Sequence, residues 1–386
     1  MSIRVAVIGI GNIGTAHATT IYNGEVDGME LCALCDTDEN RLSALAELFP
    51  NIPLFKTSDE LLDSKIADAV IISTPHYFHP SIALKALKSG HHVISEKPLG
   101  VYTYGMDELF EAQRESGKLF AVMLNQRTNK LFSLAKKMIS DGKIGKIKRS
   151  CWIITNWYRT DGYYASGSWR ASWRGEGGGV LTNQAPHNLD LWQWLCGMPS
   201  SIYAVCNEGK YHNIEVEDEA TIFAEYENGA SGVFITSTGE FPGTNRFEIV
   251  GEKGKIVLEK GTLTLTELSE NERDFCKGKC DAPVLSEAVI ADEDYNGHKL
   301  ILQNFANAVL RGEELISPAI DALNEVVISN ASYASSWKGE KISLPLDEKE
   351  FLDMLKQKIE NSTQDNKSQA DDLFAREYLT RWSTNW

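Results

Sequence analysis

The chain has 386 residues, 42% of them hydrophobic and 24% charged, ordinary proportions for a soluble globular protein with room for two cores. Its formal net charge of −16 argues against a nucleic-acid partner and against adsorption to anionic membranes, since both need a basic face. No apolar run approaches the roughly 20 residues of a membrane helix.

The N-terminal stretch Ile3–Ile8 runs straight into a glycine turn, so it reads as a structural strand and not as a secretion signal. Seven scattered cysteines, an odd number, read as reduced thiols, and a cytoplasmic location is expected. Cys32-x-x-Cys35 falls inside a predicted strand without the turn and helix of a redox motif. Cys276 and Cys280 sit in a polar Lys/Gly stretch with no second Cys/His pair at ligand spacing, so no metal is expected there.

Residues 1–123 alternate strand and helix. Arg4–Ile8, Met29–Cys35, Ala67–Ser73, His92–Ser95 and Leu119–Leu124 are short apolar or β-branched runs. Between them Ile13–Asn23, Glu39–Leu48, Ser58–Leu62, Pro80–Ser89 and Tyr104–Ser116 carry helical spacing and caps. This rhythm predicts a doubly wound α/β domain with a parallel sheet. After the amphipathic helix Asn129–Asp141 the pattern changes. Ile147–Trp157, Ile202–Asn207, Ala220–Tyr226, Ala230–Thr238, Arg246–Gly251, Gly254–Glu259 and Thr262–Glu267 read as strands, many joined by tight turns such as Asn228-Gly229. They predict an α+β domain with a large, mostly antiparallel open sheet, on which helices Lys299–Arg311 and Ile320–Ser336 should pack. The expected division is 1–123, 124–345, and a helical extension and tail over 346–386. Within the last, Asn361–Asp372 reads as a connector and Leu373–Trp386 as a docked tail. Trp337, Trp382 and Trp386 fit either core packing or closure of a neighbouring subunit's site.

Gly9-Ile10-Gly11-Asn12-Ile13-Gly14 follows a strand and opens a helix. That is the arrangement in which glycines let a backbone approach a pyrophosphate at a helix N-terminus. Gly9, Gly11, Asn12, Ile13 and Gly14 are therefore the expected phosphate contacts. Asp36 ends the second predicted strand 22 positions after Gly14, where a carboxylate can bind the adenosine ribose. A carboxylate there repels a 2′-phosphate, so NAD is favoured over NADP, although Arg41 is not far.

Strand His92–Ser95 ends in Glu96-Lys97-Pro98, and farther on comes Gly177-Gly178-Gly179 followed by Asn183, His187 and Asp190. Groups beyond the carboxyl ends of parallel strands face the ligand crevice. His187 stands four positions after Asn183, a spacing that puts two residues on one helical face. Together with the opening glycine turn, these motifs resemble the glucose–fructose oxidoreductase/inositol dehydrogenase (Gfo/Idh/MocA) family over about residues 1–345.

The resemblance implies a Rossmann domain, then a second domain whose open sheet often forms the oligomer interface, here a dimer or tetramer. It implies that Lys97 and His187 match the family's catalytic lysine and histidine. Thr74, His76 and His79 resemble its nicotinamide-side loop, with Glu96, Lys97 and Arg170 also expected near the cofactor. Many members carry aspartate where this chain has Asn183. An asparagine cannot stabilise an imidazolium by charge, so Lys97 is weighed above His187 as the base, with either able to take the proton.

Between Cys151 and Glu176 the sequence interleaves Trp152, Trp157, Tyr158, Tyr163, Tyr164, Trp169 and Trp173 with Arg159, Arg170 and Arg174. Half of these are expected in core or interface. The others fit a carbohydrate loop, in which rings pack on C–H faces and polar tips bind hydroxyls. Lys97, Asn156, Tyr163, Trp169, Arg170, Asn183 and His187 are the substrate candidates, and the arginines leave open a sugar or a sugar acid. The leading expectation is an NAD-dependent oxidoreductase acting on a carbinol carbon of a sugar, cyclitol or glycoside. An NAD-retaining glycosidase or lyase working through transient oxidation, and a non-catalytic sugar or nucleotide sensor, are the alternatives.

Overall fold

The computed structural model describes residues 2–167, 169–292 and 296–362. The expected tail Leu373–Trp386, and the connector beyond Ser362, lie outside the described residues. Two compact units divide the chain: Met1–Thr128 with Asn296–Val326, and Asn129–Tyr295 with Val327–Trp386. No helix among the described residues is long and apolar enough to cross a membrane.

The first unit is built on six strands: β1 (Ile3–Ile8), β2 (Met29–Cys35), β3 (Leu54–Phe55), β4 (Ala69–Ile72), β5 (His92–Ser95) and β6 (Phe120–Val122). They pair in parallel, in the order β3-β2-β1-β4-β5-β6. All four residues of β4 are buried, because helices cover both faces of such a sheet and leave no polar side. The strand order reverses between β1 and β4, and ligands bind at such a switch point. Helices begin where the sequence supplies caps: Asp38 accepts from the N–H groups of Asn40 and Arg41, and Thr57 from that of Glu60. Cys32 and Cys35 lie in β2, and burial pushes both thiols up to about 12, so neither is a thiolate near neutrality.

Helix Gly297–Arg311 corrects an expectation. Its amphipathic spacing leads one to expect it on the second sheet, yet Ile301, Leu302, Phe305 and Ala306 share a core with Val5, Val7 and Ile94 of the first. The start of the following helix does the same on the other face, where Ala319, Ala322 and Val326 join Val70, Val93 and Val122. Amphipathic spacing gives a helix an apolar face but not the address of the sheet it meets.

Among the described residues the second unit holds nine strands: β7 (Ile147–Ile154), β8 (Ser201–Glu208), β9 (Glu217–Glu225), β10 (Ser231–Ser237), β11 (Asn245–Gly251), β12 (Gly254–Glu259), β13 (Thr262–Leu268), β14 (Leu285–Ala291) and β15 (Ile342–Ser343). Their order is β14-β13-β12-β11-β7-β10-β9-β8-β15. Only β7 and β10 pair in parallel; the other pairs are antiparallel. Phe234, Trp152 and Phe247 are partners across β10, β7 and β11. Trp152 stacks on Phe247 at 4.3 Å between centroids and meets Phe234 edge-on at 6.0 Å, fixing the centre of the core. Trp173 is buried against Tyr333 and Trp337. These account for the core share of the aromatic-rich segment. Strand β14 was not expected: all but one of its residues are exposed, and an edge strand wet on both faces has no alternation to read.

Candidate active site

In the first unit, the turn after β1 is dictated by contacts. Gly9 has φ +88°, and a Cβ there would lie 2.7 Å from the backbone of Ser73 and Thr74. A Cβ on Gly14 would sit 2.0 Å from the Gly9 carbonyl oxygen. Both positions exclude any side chain. Gly11 differs, since a Cβ there would meet nothing within 4 Å. It caps helix Asn12–Tyr22 without any side-chain hydrogen bond, so the first N–H groups, Asn12 and Ile13 among them, receive no side-chain cap from it. Alongside, the hydroxyl oxygens of Ser73 and Thr74 are shielded from solvent with no hydrogen-bond partner among the described residues. A bare helix start, open space over Gly11 and orphaned hydroxyls are what a bound dinucleotide would fill.

Asp36, at the end of β2, is buried. Its carboxylate accepts from Ile10 N–H at 2.8 Å and Asp38 N–H at 3.0 Å, and Arg41 approaches to 3.4 Å. Asp36 thus fastens the glycine turn to β2, and Arg41 is turned towards it.

Beyond β5, Glu96 is buried and Lys97 half-buried. The Lys97 N–H donates to Glu96 Oε2 at 3.3 Å, and Glu96 Oε1 lies 2.7 Å from His17 Nε2 on the glycine helix. Burial alone would raise the Glu96 carboxyl. The His17 hydrogen bond and the charges of His17, His298 and Lys97 override it and hold the group down at about 2. His298 packs 5.6 Å from His17 between ring centroids, and burial drags its imidazole down to about 4. His79 opens helix His79–Lys88 fully buried, its Nε2 2.7 Å from Thr74 O and its Nδ1 2.8 Å from Pro98 O. It joins the loop after β4 to the turn carrying Lys97. Burial lowers its pKa while the two carbonyls oppose that shift. His76 is buried in the short turn just before, 5.9 Å from His79 between rings.

In the second unit, a Cβ on Gly178 would lie 2.1 Å from Thr182 Oγ1, and one on Gly179 would lie 1.9 Å from the Glu217 carbonyl oxygen. Glu217, fully buried on β9, accepts from Gly179 N–H, Leu181 N–H and Tyr333 O–H, each at 2.8 Å. Burial still pushes its carboxyl up to about 8 against those three bonds. Past this turn the helix runs Pro186–Cys196, with proline in its first turn. His187 is therefore its second residue, and Asn183 lies before the helix. The four-residue spacing does not place them on one helical face.

Asn183 faces elsewhere. Tyr163 Oη takes hydrogen bonds from Arg170 Nη1 (2.7 Å), Asn183 Nδ2 (3.1 Å) and Gln184 Nε2 (3.0 Å). Asn183 also donates to the buried carboxylate of Glu176, which accepts from Ala171 N–H at 2.7 Å and lies 3.7 Å from Arg170. The Arg170 guanidinium rests over the rings of Tyr163 and Trp169, 4.6 and 4.5 Å from their centroids. Four of the expected substrate residues thus meet in one cluster. Asn156 does not join it by any hydrogen bond among the described residues; it lies against the Gly243 turn.

Sequence reasoning missed Glu176, Gln184 and Asn188 here, and His17 and His298 in the first unit. Asn188 follows His187, accepts from Trp157 Nε1 at 3.3 Å, and buries an Nδ2 with no hydrogen-bond partner among the described residues. The available signal was local: His17 falls one turn after Gly14 on the buried face of its helix.

Residues 3–124 match the model of an oxidoreductase family with an NAD-binding Rossmann fold, and residues 132–257 match the Gfo/Idh/MocA C-terminal domain. The chain belongs to the Gfo/Idh/MocA family. It is similar to scyllo-inositol 2-dehydrogenase (NAD(+)) of Bacillus subtilis, 27% identical across 89% of this chain and 96% of that one. It is also similar to myo-inositol 2-dehydrogenase of Thermotoga maritima, 25% identical across 70% and 79%. Among solved structures, the WlbA dehydrogenase of Chromobacterium violaceum in complex with NADH and UDP-GlcNAcA superposes with a TM-score of 0.77 at 27% identity, over 90% of this chain and 97% of that one. This Gfo/Idh/MocA chain is thus an NAD-dependent oxidoreductase, in agreement with the cradle at Gly11, Ser73 and Thr74.

Proposed function

We propose that this Gfo/Idh/MocA enzyme moves a hydride between NAD and a carbinol carbon of a sugar, cyclitol or glycoside. The observation that carries this reading is the Tyr163 cluster. Flat aromatic rings lie beside amide, phenol and guanidinium groups, a chemistry suited to a molecule with apolar C–H faces and many hydroxyls. The inositol dehydrogenases among its relatives act on such molecules. When bound, NAD⁺ would supply the hydride acceptor.

Lys97, half-buried behind the Glu96 anchor, is the proposed base: neutral Nζ takes the hydroxyl proton of the carbon being oxidised and returns it in the reverse direction. His187 is proposed to hold that hydroxyl. Asn183 brings it no carboxylate, being turned to Tyr163 and Glu176, which favours Lys97 for the proton. Absorbance of NADH with inositols, sugars and glycosides tests the reading. Lys97→Ala should lower turnover at least ~100-fold, roughly the contribution of a positioned base, with NADH binding retained. Near-normal turnover of that variant would remove Lys97 from the chemistry. Glycoside cleavage without net NADH would instead indicate an NAD-retaining glycosidase.

We also infer that the open face of the second unit's sheet joins copies of the chain. Tyr203, Phe223 and Val233 are cross-strand partners on that face. Tyr203, Val205 and Phe223 are 44%, 46% and 41% exposed, an apolar row of the kind that a self-complementary interface covers. Sedimentation should show an oligomer that Phe223→Lys splits; a monomeric wild type would end this inference.

A further inference from the structure

We infer that the substrate surface of the second unit selects an uncharged polyhydroxy compound and rejects its carboxylate counterpart, because the cations that would read an acid are already occupied. The inference rests on the dehydrogenase reading and narrows its substrate class. Arg170 is the cation bonded to the Tyr163 phenol. Its guanidinium covers two aromatic faces, donates to the Tyr163 phenol at 2.7 Å, and has the buried Glu176 carboxylate 3.7 Å away. Recognition of a substrate carboxylate by arginine uses a bidentate fork, and this fork is turned to the protein.

The other two arginines of the segment are engaged as well. Arg159 donates to the carbonyls of Trp157 and Tyr158 at 3.2 and 3.0 Å and lies over the rings of Trp157 and Tyr163. Arg174 is exposed and donates to the Ile359 carbonyl at 3.3 Å. Nearby, His212 is 3.0 Å from Asp218, and Lys210 is paired with Glu219. A substrate carboxylate arriving beside Arg170 would meet the Glu176 charge, with the guanidinium already turned to Tyr163 and Glu176. The other polar groups gathered at the Tyr163 phenol, the Asn183 and Gln184 amides, are neutral. Opposed like charges at a desolvated site cost several kcal/mol, so discrimination of roughly 100-fold or more between a neutral sugar and its uronate is expected.

The test uses matched pairs, such as methyl glucoside against methyl glucuronide and glucose against glucuronate, with the full-length protein. Binding is measured by calorimetry in the presence of NADH, and turnover separately with NAD⁺. The neutral member of a pair should bind at least ~100-fold more tightly, and Glu176→Gln, which leaves Arg170 without its counter-charge, should narrow that ratio by ~10-fold. Equal or tighter binding of the uronates by the wild type overturns the inference, as does a ratio unmoved in a Glu176→Gln protein whose melting is normal. Selective binding of the neutral sugars without NADH formation would spare the charge argument and sink the dehydrogenase reading. Failure to bind either member of any pair overturns both.

Discussion

His17 Nε2 and Glu96 Oε1 lie 2.7 Å apart with both side chains out of solvent. One belongs to the helix that opens on the glycine turn and the other precedes Lys97, so the dinucleotide cradle and the proposed base share one buried tie. Removing one partner of such a pair strands the other, at about 3–5 kcal/mol. Glu96→Ala should therefore unfold in urea at a markedly lower midpoint than the wild type.

The same carboxyl sets an acid limit. Its ordinary value is 4.5 and the fold holds it at about 2. A depressed group stabilises fully above its unfolded value, and that contribution is lost as pH falls from about 4.5 to about 2. It is worth on the order of 3 kcal/mol. The wild type should lose more stability over that window than Glu96→Gln does, and parallel acid titrations of the two would refute the assignment.

Glu217 has the opposite sign. Its pKa is raised to about 8 from 4.5, so its contribution is complete below about 4.5 and disappears as pH climbs to about 8. Against Glu217→Gln, which cannot ionise, the wild type should weaken with rising pH. Thermal melts of both proteins at pH 5 and pH 9 would read this.

The glycine turn separates folding from binding. Gly14→Ala would force a methyl into the Gly9 carbonyl, whereas Gly11→Ala finds open space. Gly14→Ala should lower the melting temperature. Gly11→Ala should melt normally and bind NADH at least ~10-fold more weakly, as a methyl would occupy the cofactor's approach. Fluorescence titration with NADH decides it; normal affinity in Gly11→Ala would move the cofactor elsewhere.

His79 bridges Thr74 O and Pro98 O at 2.7 and 2.8 Å. Replacing it with leucine removes both contacts, for a loss of about 1–3 kcal/mol. Turnover per folded molecule should fall with little change in NADH affinity, because the turn bearing Lys97 loses its brace. A stability loss with unchanged turnover would reduce His79 to a purely architectural residue.

Much of this was legible from local pattern. The continuous apolar run at Ala69–Ile72 announced a strand covered on both faces, and the spacing of Gly9, Gly11 and Gly14 announced the cradle, because both requirements act within a few residues. What escaped depends on distant partners. Glu176 reads as a surface carboxylate until Asn183 and Arg170 are seen around it, and His17 acquires its meaning from Glu96, 79 positions away. Pro186, whose missing N–H suits a first helical turn, starts the helix after Asn183, so the four-residue spacing to His187 carries no helical face. Strand β14 was invisible because its backbone pairs while its side chains stay wet.

The return of residues 296–326 to the first unit bears on how the protein is made. The apolar side of β1 and β5 that receives Ile301, Leu302 and Phe305 emerges from the ribosome long before those residues exist. The Rossmann half therefore cannot finish folding first, and must wait with a bare flank while the whole nine-stranded sheet save its last short strand is synthesised. A gene fragment ending at Thr128 would yield a sticky, incomplete sheet, and chaperone demand should peak at that stage of translation.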